Sequence, residues 1–541
     1  MTGITWKGLL EFWLLIAILG TSLNALALVN APPAKHKKPA KGSADEVPYV
    51  IRVNADGLLL DYRQHSSGLP LVEGKLVRDY LNATVFEGLR ASNKSQVLIF
   101  VHGGMDDTSA ALDHFWSDYQ RILQGPYYPV FIVWPSGWSE TYFEHLFKVR
   151  QGVKAETAGE MVYSYATSPL MLLSDVGRAI TRTPMVIANN EHSDFETIQP
   201  ARHLDDGAPV RQYAEFPTNY SVYVGNDYSS GWSGFTRGVS YWATLPVKLF
   251  VGSAIDGFGM GAWDNTVRRT QEVYPAKYDS AIASHLKAKL AEQENRVNEA
   301  PSDATSKSGK PLSKRQKKKA QRYLASGLPI FFDMLREKKQ DGAVNDVTLV
   351  GHSMGTIILN RVLRDAPMDF NNIIYLGAAC SIDDFTTSVL PYMKLHTNTE
   401  FYNMTLHPVA ETDETYALDL CPRGSLLVWL DNFLVNPASE QERRFGRWRN
   451  LYRSSPTGEP LIRRMFDYDP SVSGRLHFRA FSVWLTDSDT LRDREYQWND
   501  HAAPPSVSDI DGETRTNNPM THTELGQAPY WNPAFWTVPP R

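Results

Sequence analysis

Cysteine is nearly absent from this chain: two residues in 541, Cys380 and Cys421. Two thiols cannot supply a disulfide framework or a cysteine-rich zinc site. Charge of one sign is scarce as well. Fifty-five Lys and Arg against 60 Asp and Glu leave a net charge of −5, too weak a field over this length to argue for a nucleic-acid partner. Glycine and proline stand at average usage, 36 and 33 residues, which excludes collagen-like and low-complexity classes. No internal repeat is visible. What remains is ordinary globular composition, 42% hydrophobic and 21% charged, with ample chain for a large core. The length suits about three to four ordinary domains, or one large domain with insertions.

Residues 8–29 form a long apolar run, interrupted by Glu11, Thr21, Ser22 and Asn24. Three readings fit it. It is a signal peptide, with Ala25-Leu26-Ala27 as a small-residue cleavage pattern, an uncleaved single-span anchor, or a buried core helix. The first two imply an exported protein or one held at a membrane through its N-terminus. The Pro/Ala-rich stretch that follows, with Lys35, Lys37, Lys38 and Lys41, reads as a linker. Its charge favours the cytoplasmic side and so pulls against simple export. Sequons at Asn82, Asn93 and Asn219 count only in a host that glycosylates.

From residue 48 the pattern is that of alternating strands and helices. Continuous apolar, β-rich runs at 97–101, 130–134, 347–350, 373–376 and 401–406 predict strands buried on both faces of a parallel sheet. Runs at 49–53, 58–62 and 476–485 are further strands, and 328–339, 356–364 and 263–273 read as helices. The fold class is therefore α/β, a mostly parallel central sheet with helices on both faces. The interval between the second and third of those runs is too long for one crossover and predicts a large insertion or cap over 139–340. Within it, 210–262 is rich in Tyr, Trp, Gly and Ser and reads as an aromatic, irregular excursion. Residues 278–297 read as a charged helix. The run Lys314, Arg315, Lys317, Lys318, Lys319 and Arg322 reads as a solvated face, with an anionic or membrane surface as the alternative. The organisation is 1–30 leader or anchor, 31–47 linker, 48–138 first core part, 139–340 insertion and 341–541 second core part.

One motif carries chemistry. Gly351-His352-Ser353-Met354-Gly355 fits G-x-S-x-G, with a buried-strand run directly before it and an apolar helix pattern after it. In that setting a serine sits on a sharp, unfavourable turn, and its hydroxyl is raised above the sheet. The N–H of Met354 then lies at a helix N-terminus, where developing negative charge is stabilised. Upstream, the strand at 97–101 ends in His102-Gly103-Gly104, where glycine lets backbone approach a substrate oxygen. Gly104 or Met105 supplies the second N–H there.

These elements together resemble the α/β-hydrolase superfamily, most closely its esterase- or lipase-like members of undefined substrate. The Trp263-Asp264…Arg268-Arg269-Thr270 segment is similar to a helix of some members, and the likeness spans roughly 48–536. It implies a serine, acid, histidine triad in that chain order, with no metal and no organic cofactor. Three histidines follow the last core strand: His477, His501 and His522. The resemblance favours His522 as the base, because related hydrolases commonly follow the histidine loop with an aromatic-rich terminal helix such as the one here; His477 falls inside a strand run. The acid belongs after the 401–406 strand. Glu411 is favoured, flanked by small or apolar residues. Asp413, beside Glu414, is second, and Asp383 or Asp384 after the preceding strand is third.

Two functions are compatible with this reading. One is a serine hydrolase acting on a small-molecule or lipid-like ester, with acyltransferase and peptidase as variants of the same triad. The other is an inactive hydrolase fold used for binding.

Overall fold

The computed structural model describes residues 48–63, 68–104, 108–187, 220–221, 231–275, 320–365, 368–406, 411–412, 414–415, 420–452, 469–481, 519 and 521–537. The N-terminal apolar run, the linker, the 278–297 segment and most of the basic run lie outside the described residues. Among the described residues no helix is long and apolar enough to cross a membrane.

Seven strands build one sheet. They are β1 (Val50–Arg52), β2 (Gln96–Val101), β3 (Tyr127–Val133), β4 (Asp346–His352), β5 (Asn372–Leu376), β6 (Glu400–Leu406) and β7 (Leu476–Phe481). Their spatial order is β1-β3-β2-β4-β5-β6-β7, and every neighbouring pair is parallel. The two-residue strand Tyr220–Ser221 pairs in parallel with β7 at the edge. Every residue of β3 is buried, and β2 is buried from Val97 to Val101. That is why these strands read as unbroken apolar runs: neither face meets water.

The order places the site. β2 lies between β3 and β4. The chain leaves β2 through helix α1 (Thr108–Gln124) to form β3 on one side. It returns to form β4 on the other side and continues through a later helix, Gly355–Asp365, to β5. Right-handed crossovers put these two helices on opposite faces. Their divergence opens a crevice at the carboxyl ends of β2 and β4. His102-Gly103-Gly104 and Ser353 stand at those two ends.

The insertion contains three helices that pack on one another: α2 (Trp138–Lys148), α3 (Ala158–Thr181) and α4 (Gly231–Val273). The irregular excursion expected over 210–262 is thus helical from residue 231. Glycine in this stretch serves helix contact and not turns. A Cβ at Gly257 would lie 2.7 Å from Asp175 O and 2.6 Å from the Ala179 Cβ on α3. Further along come α5 (Gly327–Gln340), α6 (Gly355–Asp365) and α7 (Ile382–Leu395). α5 belongs to the main core, where Leu328, Phe331 and Leu335 are buried with residues of β1 to β7.

The strand expected over 58–62 is only a two-residue pair, Leu60–Asp61, antiparallel to Leu69–Pro70 and outside the main sheet. The reason is local. Asn54 Oδ1 accepts the N–H groups of Asp56 (2.9 Å) and Leu58 (3.0 Å), a side-chain turn that folds the chain back.

Candidate active site

Ser353 follows β4 directly and has φ +50°, a left-handed conformation that costs a non-glycine residue roughly 1–3 kcal/mol. Several bonds hold it there. Ser353 N–H donates to Leu376 O at 2.9 Å, and Ser353 O accepts from Ala379 N–H at 3.1 Å. The Thr356 hydroxyl donates to the same Ser353 oxygen at 2.7 Å. The flanking glycines have steric reasons. A Cβ at Gly355 would collide with the Val101 carbonyl at the end of β2, and one at Gly351 would reach Leu359 Cδ1 at 2.8 Å. So the G-x-S-x-G spacing lets β4, α6 and β2 close on the turn.

His522 opens a short helix, α8 (His522–Gln527), capped by Thr521, whose hydroxyl accepts from Glu524 N–H. Its ring lies over the end of β5. A Cβ at Gly377 would come within 2.8 Å of both Cε1 and Nδ1 of His522, and Gly377 adjoins Leu376, the acceptor for Ser353 N–H. His352, the residue before the serine, donates from Nε2 to His522 O at 3.2 Å. The two imidazoles are 5.1 Å apart, centroid to centroid.

Two polar atoms in this corner are buried without a hydrogen bond to any described residue: Ser353 Oγ and His522 Nε2. Such atoms are rare because each costs its desolvation. Burial pushes the His522 imidazole down to about 4, so at neutral pH it is uncharged and can accept a proton. The two atoms do not hydrogen-bond each other.

The carboxylates sort clearly. Glu411 is buried, and both its oxygens are engaged: Ser425 Oγ donates to Oε1 and Arg447 Nε to Oε2, each at 3.2 Å. Burial lifts its carboxyl to about 7 against the pull of Arg447. The structure thus ties Glu411 to an arginine and not to His522. Glu414 is the carboxylate that meets the histidine, accepting the His522 backbone N–H on Oε2 at 3.1 Å. Asp384 accepts from Asn360 Nδ2 and pairs with Arg364, and Asp383 stands beside it in the first turn of α7. Asp413, His501 and Met105 lie outside the described residues. His477 bonds Glu400 at 2.7 Å and stacks on Tyr402, a packed residue of β7.

Gly104 abuts the other half of the site, where an added Cβ would collide with the Met354 side chain. Its loop is anchored to the end of β3: Trp134 N–H donates to His102 Nε2 at 3.1 Å, and Ser136 Oγ to Gly103 O at 3.3 Å. Gly104 and the start of α6 are therefore close neighbours. Among the described residues no group of three or more His, Cys, Asp or Glu side chains is placed to hold a metal ion.

Sequence reasoning missed Glu414 and the charged cluster behind it. One signal was present: Asp431 stands inside the apolar stretch Leu426 to Leu434, where a lone carboxylate demands a buried partner. Comparison with protein-family models, curated proteins and solved structures returns no match for this chain.

Proposed function

We propose that this chain is a serine hydrolase of the α/β-hydrolase type, cleaving a small-molecule or lipid-like ester through an acyl-enzyme. The observation that carries this reading is the strained Ser353 at the sheet's switch point, with its unbonded hydroxyl in the same corner as the unbonded Nε2 of His522. Ser353 Oγ attacks the acyl carbon while His522 Nε2 takes its proton. The N–H of Met354 and that of Gly104 or Met105 receive the oxyanion. His522 returns the proton to the leaving alkoxide. Water, activated by the same imidazole, then releases the acid and restores Ser353. The Glu414 carboxylate, already on the histidine's backbone, supports the imidazolium. The helices α2, α3 and α4 pack together, and α4 also touches α6; in this reading they form the cap over the site.

The direct experiment is labelling of the purified chain with a fluorophosphonate probe, with peptide mass spectrometry of the adduct. The expected adduct is on Ser353 alone. A folded chain that takes no label supports the binding-protein reading instead.

The depressed His522 makes a second expectation. Between its ordinary 6.5 and about 4, the unfolded chain binds the proton more readily than the folded one. The contribution of His522 to folding stability is therefore complete above pH 6.5 and falls as pH drops toward 4, by up to about 3 kcal/mol. The kcat/KM profile for a p-nitrophenyl ester should stay level to about pH 5 and fall tenfold per unit below 4. A midpoint at 6.5 would show a solvated imidazole.

A further inference from the structure

The Ser353 turn is held from its carbonyl side by the loop 377–380, through Ala379 N–H. That loop is held in turn by a second one. Phe445 N–H donates to Cys380 O and Gly446 N–H to Ala378 O, both at 2.9 Å. A Cβ at Gly446 would collide with the Ala378 backbone, so the two loops meet main chain to main chain.

From the second loop one buried guanidinium reaches across. Arg444 Nη1 donates to Ala379 O at 2.9 Å, and Nη2 donates to Glu442 O. The Arg444 charge faces Asp431, with Nε 3.6 Å from Oδ1, and its Cζ lies 5.9 Å from the Trp263 ring centroid on α4. Asp431 is a junction. It accepts from Arg444 N–H (3.1 Å), Arg447 Nη1 (2.9 Å) and Asn450 Nδ2 (2.8 Å). Arg447 then continues to Glu411 at 3.2 Å. Glu411 opens the short segment whose Glu414 carries the His522 backbone.

One buried ionic network therefore touches both halves of the site. Its Arg444 end bears on the Ser353 turn, and its Glu411 end bears on the support of His522. The geometry points to Arg444 as a positioning residue: through Ala379 it keeps the strained Ser353 turn in register with the segment that holds His522. A guanidinium suits the task because its planar fork donates to Ala379 O and Glu442 O at once while its charge faces the Asp431 carboxylate. An ammonium in its place is a single point and cannot span both carbonyls in that geometry. Without that grip the Ser353 turn relaxes toward an unstrained backbone and the hydroxyl shifts away from Nε2. The catalytic consequence rests on the hydrolase reading; the positional one does not.

The test uses Arg444→Lys in the full chain, with Asp431→Asn as a second variant that loosens Arg444 from its other side. Two readouts are taken. The first is amide hydrogen exchange by mass spectrometry. Exchange over 377–380 should quicken while β2 keeps its protection, which separates loop release from global unfolding. The second is fluorophosphonate labelling and ester turnover. The labelling rate and kcat should fall about a hundredfold with KM held, the size of effect expected from a displacement near 1 Å. If Arg444→Lys fails to fold, Asp431→Asn carries both readouts. Wild-type exchange over 377–380 together with a wild-type labelling rate overturns the assignment. Faster exchange in a protein whose wild type takes no label would leave the positioning role standing and remove the hydrolase reading.

Discussion

Ser353→Ala is expected to remove acyl transfer by a factor on the order of a thousand or more, and to do so without loss of stability. The first half follows from chemistry. Only Oγ can form the acyl-enzyme, and the residual rate is what oxyanion donors and binding supply alone. The second half follows from the structure. Alanine keeps the Cβ, so the strain of φ +50° is unchanged. The bonds to Leu376, Ala379 and Thr356 use the backbone N–H and carbonyl and survive. What disappears is a buried hydroxyl with no hydrogen bond to any described residue, whose burial costs about 1–3 kcal/mol. The melting temperature should therefore stay level or rise, the usual signature of a site whose activity is held at the expense of stability. A thermal melt beside an ester-hydrolysis assay measures both. Loss of activity with a matching loss of stability would point to a structural serine.

Glu414→Gln is expected to lower kcat by a factor on the order of a thousand to ten thousand, and Glu411→Gln to leave it within a few-fold of wild type. The glutamine at 414 still accepts the His522 N–H through its carbonyl oxygen, so the helix α8 stays placed. It removes the negative charge held beside the His522 main chain, which in the proposed mechanism offsets the imidazolium. Glu411 has no such contact, because Ser425 and Arg447 take both its oxygens. Its variant shows elsewhere. A carboxyl raised to about 7 when folded holds its proton more tightly than the unfolded chain does. In wild type this contributes a loss of stability as pH rises from about 4.5 to 7. Glu411→Gln should flatten that slope in melts across the range. Parallel kinetics for the two variants decide the acid: if Glu411→Gln is the one that fails while Glu414→Gln turns over normally, the roles are reversed.

Much of this was legible along the chain, where the forces are short-ranged. A strand buried on both faces is apolar at most positions, so β2, β3 and β5 announced themselves, and β6 did so despite its buried Asn403 and Thr405. The serine turn needs small residues two positions to either side, so Gly351 and Gly355 marked it. His522 stood out through Tyr530, Trp531, Phe535 and Trp536, all of which are buried. The 231–262 stretch misled because glycine and aromatics are common to turns and to tightly packed helices. Only α3, lying against Gly257, shows which use applies.

Sequence alone therefore determined the parallel sheet, the serine turn and the glycine loop at 102–104, because each depends on residues within a few positions of one another. It could not choose among the carboxylates after β6. Glu411, Asp413 and Glu414 stand within four residues of one another in the sequence, and the contacts of Glu411 and Glu414 are made with partners far away in the chain. Arg447 claims Glu411 across 36 positions, and His522 meets Glu414 across 108. Each carboxylate's pairing follows from which distant group lies beside it in a space water does not fill. That pairing exists only once β5, β6 and the loops beyond them have packed, so the tertiary structure alone decided it.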